Sequence, residues 1–335
     1  RGLGDVYKRQ VYSQPGAPEV FRYEDVADPV CGPKDVKIEV KAIAIEGGDV
    51  LARAFIETGG KDQVVGYSAA GVISELGAEV NGFKVGDRVT TLSGAGSHAE
   101  QRVVSSFTCW ALPDSVSFEQ GACIPVTYGT AHDALFEFGR LRADETVLVQ
   151  GGAGGVGIAC IQLAKQAGAT VYATASSDER LKQLTDFGLD AGINYTTEDL
   201  TTEVMRLTDR NGVNLVVDPV GGNVLEKSIA SAGRRGRIVS VGTASRDFSK
   251  IDIAGLAPGN KSLTGVFLGA EVATPRAQEM IRGLLDQMAG GGLSMPIDRT
   301  YALAEAAAAH AYIESRQAVG RVICLLYTSP SPRDV

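Results

Sequence analysis

Apolar and polar residues alternate one by one through the first third of the chain, as in Asp35-Val36-Lys37-Ile38-Glu39-Val40-Lys41 and Gly71-Val72-Ile73-Ser74-Glu75-Leu76. A period of two, with turn residues between the runs, predicts short half-buried strands from Val11 to about Val126. From Thr127 to about Leu268 the rhythm changes. Apolar runs at Val147–Val149, Thr170–Thr174, Ala191–Tyr195, Val213–Val217, Arg237–Val241 and Lys261–Leu268 are separated by helix-like stretches such as Ile158–Ala167 and Asp178–Phe187. Strand and helix in alternation predict an α/β doubly wound parallel sheet. Two helical runs follow, Thr274–Ala289 and Leu303–Ser315, and a last strand opens at Gly320. The pattern thus expects a β-rich domain over 11–126 and 269–323, with a sheet-and-helix domain over 127–268 inserted in it.

The inserted domain opens with the chain's most specific signal, Val147-Leu148-Val149-Gln150-Gly151-Gly152-Ala153-Gly154-Gly155-Val156-Gly157. A lone G-x-G-x-x-G is weak, but here a strand precedes it and a helix start follows. Glycines let the backbone turn tightly and approach a pyrophosphate, which the amides and dipole of the helix N-terminus stabilise. Gly152, Ala153, Gly154, Gly155, Val156 and Gly157 are therefore expected to bind NAD(H) or NADP(H). An NAD enzyme places a carboxylate ~20 residues further on, at the end of the next strand. Here that strand ends in Ser176-Ser177-Asp178-Glu179-Arg180. Two hydroxyls and a guanidinium fork suit a 2′-phosphate and point to NADPH through Ser176, Ser177 and Arg180. The competing reading is that the serines cap the next helix and Arg180 is a solvated charge, and Asp178 and Glu179 favour it.

A net charge of −8 argues against nucleic acid as the principal partner, and no apolar run is long enough to span a bilayer. Cys31, Cys109, Cys123, Cys160 and Cys324 include no C-x-x-C pair and read as thiols of a reduced, cytoplasmic protein. Both ends look foreign. Arg1 to Gln10 back-translates as CGTGGGCTCGGAGATGTGTATAAGAGACAG, and the opposite strand, read one base in, encodes Cys324 to Arg333. One duplex of a transposase-type sequencing adaptor accounts for both, so 1–10 and 324–335 are expected to be non-native tails, with Thr328 to Val335 disordered or exposed. A targeting peptide lost with the native N-terminus would leave no trace.

The ordered set Gly71-Val72-Ile73, Val85-Gly86-Asp87-Arg88-Val89, Gly129-Thr130-Ala131, the glycine motif, Ile193-Asn194-Tyr195, Asp218-Pro219-Val220-Gly221-Gly222 and Val239-Ser240-Val241-Gly242 resembles the medium-chain dehydrogenase/reductase superfamily, and within it the zinc-independent NADPH:quinone oxidoreductases of the zeta-crystallin-like branch. The resemblance runs from Val11 to Ile323 and implies a β-rich GroES-like catalytic domain around a Rossmann domain. It implies that Arg180 contacts the 2′-phosphate, that Tyr195 lies against the adenosine phosphate, and that Val241, Gly242, Phe267 and Leu268 line the nicotinamide with Thr130 nearby. Val241 and Phe267 could equally be sheet core. Asp218 could equally cap its own loop. A homodimer through the Lys261–Leu268 edge is also implied.

Against the zinc alcohol dehydrogenases of the superfamily, the resemblance sets Glu46, Tyr67, Ser68 and Val126 where metal ligands and their neighbours belong. Only Glu46 is a strong donor, whereas catalytic zinc wants three. His98, His132 and His310 have no ligand-like spacing, and His132 reads as a packed residue. No metal is therefore expected. Without a Lewis acid an unactivated ketone is hard to reduce, while quinones and α,β-unsaturated carbonyls accept hydride readily. Where the branch usually carries Asn, this chain has Glu46: a proton donor, a partner for the carboxamide or ribose, or a solvent-facing carboxylate. Tyr67 is a candidate phenol donor or an aromatic wall. The expected catalytic set is Glu46, Tyr67 and Thr130. The alternatives are an enoyl-thioester reductase, with Arg234, Arg235 and Arg237 as its basic surface, and a non-catalytic NADPH-binding structural or regulatory protein.

Overall fold

The computed structural model describes residues 6–326. They fall into two compact units: one runs to Val126 and resumes at Glu271, and the other is Thr127–Ala270.

The first unit begins with an antiparallel hairpin, β1 (Val6–Val11) with β2 (Arg22–Ala27). Then come β3 (Asp35–Ala44), α1 (Gly47–Phe55), β4 (Ser68–Leu76), β5 (Arg88–Leu92), β6 (Gln101–Ser105), β7 (Cys109–Ala111) and α2 (Phe118–Cys123). β3 is the hub, pairing antiparallel with both β4 and β6. Its alternation predicted one solvated face, but Lys37 is only 9% exposed. Asp28 and Glu75, at 2.7 and 2.8 Å, neutralise its ammonium and let the stem lie inside.

The second unit holds α3 (Gly129–His132), β8 (Thr146–Val149), α4 (Gly155–Gln166), β9 (Thr170–Ala175), α5 (Asp178–Leu184), β10 (Ala191–Asn194), α6 (Leu200–Leu207), β11 (Val213–Asp218), α7 (Asn223–Ser231), β12 (Ala232–Ser240) and β13 (Ser262–Gly265). All six strands are parallel, in the order β10-β9-β8-β11-β12-β13. The sequence switches direction between β8 and β11, the place where open parallel sheets bind ligands beyond their carboxyl ends. Leu148, Val216, Ile238 and Ile193 form the sheet's contribution to one core, with Val204 from α6 and Ile229 from α7. The expected α/β doubly wound sheet is thus observed beside a β-rich antiparallel unit. β12 starts five residues before the expected Arg237 and β13 ends at Gly265, three before Leu268.

The chain returns through the helix Pro275–Ala289, β14 (Ile297–Ala302), the helix Ala306–Glu314 and β15 (Arg321–Leu325). β15 pairs antiparallel with β3, setting Ile323 opposite Ala44, and Val322 and Cys324 join Val36, Ile38, Ile43 and Ile73 in that unit's core.

The described residues ahead of Val11 and after Ile323, read in the sequence as non-native tails, pair as strands, β1 with β2 and β15 with β3. They are packed as well: Tyr7 is 8% exposed, Gln10 is 2%, and Gln10 Nε2 donates to the Leu303 carbonyl at 2.9 Å. Cys324 is fully buried. Pairing fixes which alternate side chains face inward, so a residue on the inner side is buried whatever its origin. The expectation for Thr328 to Val335 falls outside the described residues.

Candidate functional site

In the Thr127–Ala270 unit the candidate cofactor residues converge on the carboxyl ends of the strands. Gly154 is the N-cap of α4 and supplies no capping side chain, so the first amides of that helix point outward without an internal acceptor. The three motif glycines have different reasons to be glycine. A Cβ on Gly157 would meet the Gly151 carbonyl at 2.5 Å, and one on Gly152 would meet the Ala173 methyl at 2.7 Å; both are demanded by packing. Gly154 has ordinary extended angles (φ −79°, ψ 165°), and a Cβ there would come no closer than 3.4 Å to protein. Nothing in the fold requires Gly154, so the space it leaves fits an approaching pyrophosphate. Gly155 is buried and Val156 half-buried in the first turn of α4, while Ala153 is 5% exposed.

The end of β9 is tied to this loop: Gly152 N donates to the Thr174 carbonyl at 2.8 Å and Gly151 N to Thr174 Oγ1 at 3.0 Å. Ser176, Ser177 and Arg180 follow directly, all half-buried. Ser177 Oγ accepts from Arg180 N at 3.4 Å and caps α5, so the capping reading holds for this serine; its O–H remains a donor. Asp178 accepts from Asn194 Nδ2 at 2.8 Å, which draws that carboxylate to β10. Tyr195 N donates to the Ala175 carbonyl at 3.1 Å, one residue before Ser176, and Tyr195 is 51% exposed.

Across the sheet, Val241 N donates to the Asp218 carbonyl at 2.9 Å and Val266 N to that of Ser240 at 2.9 Å, so Val241-Gly242 and Val266–Leu268 leave the same sheet edge side by side. Phe267 is 73% exposed, against its reading as sheet core, whereas Leu268 is 5% exposed. The Asp218 carboxylate caps its own turn, accepting from Val220 N at 2.8 Å and Gly221 N at 2.9 Å. Thr130 is half-buried on α3, which packs on α4 between wide π-type turns at Ile124–Tyr128 and Asp133–Glu137. Arg234 and Arg235 are exposed near the amino end of the sheet, opposite the glycine loop, and Arg237 is locked by two bonds to Glu145.

In the other unit, α1 and β15 assemble a buried ionic group. Glu46 caps α1 by position, and its main-chain N–H donates to Asp49 Oδ2 at 2.8 Å. Its side chain pairs with Arg321 at 2.8 Å, the two side chains being only 5% and 8% exposed. Arg321 also donates to the Ile45 carbonyl. Glu46 therefore does not face solvent, and the partner that holds it was missed in the sequence, where Gly320-Arg321-Val322-Ile323 read only as a strand. Asp49 is fully buried and accepts from Tyr67 N at 3.2 Å. Burial, opposed by the Glu46 amide, pushes its carboxyl up to about 8. Asp49 thus joins the two candidates Glu46 and Tyr67. The Tyr67 ring lies where a Cβ on Gly48 would be, 2.5 Å from Cε2, and burial, with the Asp49 carboxyl next, raises its phenol above the ordinary value. Arg102 holds the turn from below, donating to the Tyr67 carbonyl at 2.8 Å and that of Ala95 at 2.9 Å.

The residues that the resemblance sets at metal-ligand positions have other partners or no donor atom. Glu46 is neutralised by Arg321, Ser68 Oγ donates to the Ala122 carbonyl at 2.6 Å, and Val126 offers no donor. Among the described residues no group of three or more His, Cys, Asp or Glu is placed to hold a metal. The fold does bring His98 and His310 together, Nε2 to Nε2 at 3.1 Å, despite their separation in sequence. Burial lowers His98 to about 3 and His310 well below its usual value, so both are neutral packing groups.

Residues 32–114 match the family model described as alcohol dehydrogenase GroES-like domain, and residues 155–289 that described as zinc-binding dehydrogenase. A quinone oxidoreductase of Pseudomonas aeruginosa is 32% identical over 325 residues, covering 95% of this chain and 99% of that protein. The chain belongs to the quinone oxidoreductase branch of the medium-chain dehydrogenase/reductase superfamily. Its members are oxidoreductases, and this chain is an enzyme of that kind. Among solved structures, the quinone oxidoreductase of Pseudomonas syringae superposes with a TM-score of 0.89 at 32% identity, covering 95% of this chain and 99% of that one. The Escherichia coli quinone oxidoreductase, crystallised in complex with NADPH, superposes with a TM-score of 0.89 at 27% identity over the same shares. No helix among the described residues is long and apolar enough to cross a membrane.

Proposed function

We propose that this chain is an NADPH-dependent oxidoreductase that reduces quinones or α,β-unsaturated carbonyls without zinc. The observation that carries the reading is the Glu46–Arg321 pair: the strong donor at the expected metal position is held by a buried guanidinium. When bound, NADPH supplies hydride from its nicotinamide C4. The glycine loop and the first amides of α4 bind its pyrophosphate, Ser176, Ser177 and Arg180 select the 2′-phosphate, and Val241, Gly242, Phe267 and Leu268 border the nicotinamide. Thr130 is assigned to the same ring. Tyr67, kept protonated by burial, donates to the oxygen that gains charge as the acceptor is reduced. Glu46 orients Arg321 and, through its main-chain N–H, Asp49. Two chains pair through β13, the edge strand of the parallel sheet.

Steady-state oxidation of NADPH with a panel of quinones and enones tests this, with chelator added in a parallel series. Turnover unaffected by chelator is expected. NADPH binding without turnover on any acceptor would establish the non-catalytic alternative. Turnover confined to enoyl thioesters would move the assignment to that class, for which Arg234, Arg235 and Arg237 stand at the wrong end of the sheet. A monomeric mass at micromolar concentration would remove the dimer.

A further inference from the structure

Four buried polar side chains in the Thr127–Ala270 unit are joined head to tail. Thr174 Oγ1 donates to Gln150 Oε1 at 2.9 Å, Gln150 Nε2 to Ser228 Oγ at 3.1 Å, and Ser228 Oγ to Asp218 Oδ2 at 2.8 Å. None is more than 2% exposed, and they come from β9, the end of β8, α7 and β11 in turn. Both ends of the chain of bonds grip backbone. Thr174 holds Gly151 and Gly152 of the glycine loop, while Asp218 Oδ1 holds Val220 and Gly221. Beyond that turn, Ala244 N and Ser245 N donate to the carbonyls of Pro219 and Val220, which attaches the loop after Val241-Gly242.

The sheet ladder already holds these strands together, and aliphatic side chains of the same shape would fill the space at lower desolvation cost. What polar groups add is direction. Each donor in the series has one acceptor in the next residue, the order runs one way, and it ends on a carboxylate that strengthens every bond before it. We propose that Thr174, Gln150, Ser228 and Asp218 form a positioning relay that sets the glycine loop and the Asp218–Gly221 turn in one common arrangement, so that the two ends of the bound dinucleotide are received together. The proposal rests on the dinucleotide reading of the glycine loop. Ser228 is a positioning residue: it acts on the loops only through Gln150 and Asp218.

The test is a double-mutant cycle on dissociation constants for NADPH and NADH, measured by calorimetry on Ser228→Ala, Thr174→Val and the double variant well below their melting temperatures. Ser228→Ala leaves Asp218 and Gln150 each short of a buried partner and is expected to weaken both cofactors by the same factor, about tenfold. The double variant is expected to bind little worse than the weaker single variant, because the relay is already broken. Dissociation constants within twofold of wild type and a lowered melting temperature alone, a loss confined to NADPH, or losses that simply multiply would each overturn the relay. If Ser228→Ala does not fold, Ser228→Cys, which leaves no cavity but offers only a weak donor, carries the same comparison at smaller amplitude. A wild-type chain that binds neither cofactor would overturn the dinucleotide reading, and the relay with it; intact binding with multiplying losses overturns the relay alone.

Discussion

The two units build their sites by opposite means. In Thr127–Ala270 the site is mostly backbone: helix-end amides, glycines and the ends of parallel strands, all within one stretch of chain. In the other unit it is a knot of buried ionisable side chains, Glu46, Asp49 and Arg321, drawn from segments hundreds of positions apart. Backbone sites tolerate most side-chain change, because the amides are there whatever residue carries them. Ionic knots do not, because removing one charge strands another in a medium that cannot solvate it.

The largest expected effect comes from breaking the knot. Arg321→Met should cost about 3–5 kcal/mol in chemical denaturation. Glu46→Gln added to it should restore much of the loss, since the stranded charge disappears. A cost below ~1 kcal/mol would mean that the pair is solvated and the contrast is overstated.

On the backbone side, Arg180→Ala should weaken NADPH by roughly 1.5–3 kcal/mol and leave NADH almost unchanged. Equal losses for both cofactors would mean that Arg180 makes no contact specific to the 2′-phosphate.

The glycines sharpen the comparison because they divide fold from ligand. Gly157→Ala forces a methyl against the Gly151 carbonyl and should lower stability by ~1–3 kcal/mol. Gly154→Ala should leave stability within ~0.5 kcal/mol and still weaken NADPH several-fold, as read by thermal denaturation beside calorimetry. If Gly154→Ala destabilises as much as Gly157→Ala, the space at Gly154 belongs to packing.

The last expected effect is a slope rather than a step. The Asp49 carboxyl titrates at about 8 in the folded chain and near ~3.9 unfolded, so the folded state keeps a proton that the unfolded state releases between these values. Fewer protons on the unfolded side means that this group makes stability fall as pH rises from ~4 to about 8, by up to ~1.4 kcal/mol per pH unit. Asp49→Asn should remove that slope between pH 5 and 7 whatever it does to absolute stability; parallel slopes would show that Asp49 is ionised throughout.

The same division decides what could be read from the sequence. The parallel sheet, its glycine motif and the segments proposed for the cofactor were legible because each is a local pattern: strand, turn, helix start, in order. Ser177 shows the limit, since one hydroxyl serves helix cap and candidate phosphate contact alike, and spacing does not separate them. Glu46 and Tyr67 were singled out by position, yet Arg321 was not, because a lone arginine in a strand names no partner and pairing over such separation is set by β15 returning to β3. Asp49 did leave a signal: three residues after Glu46, it has the spacing of a reciprocal helix cap. The relay through Gln150 and Ser228 had none, as neither residue type is distinctive and their elements meet only in the folded sheet.

The pairing of β15 with β3 also has a consequence for how the molecule is made. A chain leaving the ribosome exposes the whole of Thr127–Ala270 before Arg321 has been synthesised, so the parallel sheet can close while the earlier β-rich segment still lacks a strand and carries Glu46 without its counter-charge. The middle of the chain can therefore mature first, whereas the β-rich unit cannot be complete until β15 arrives.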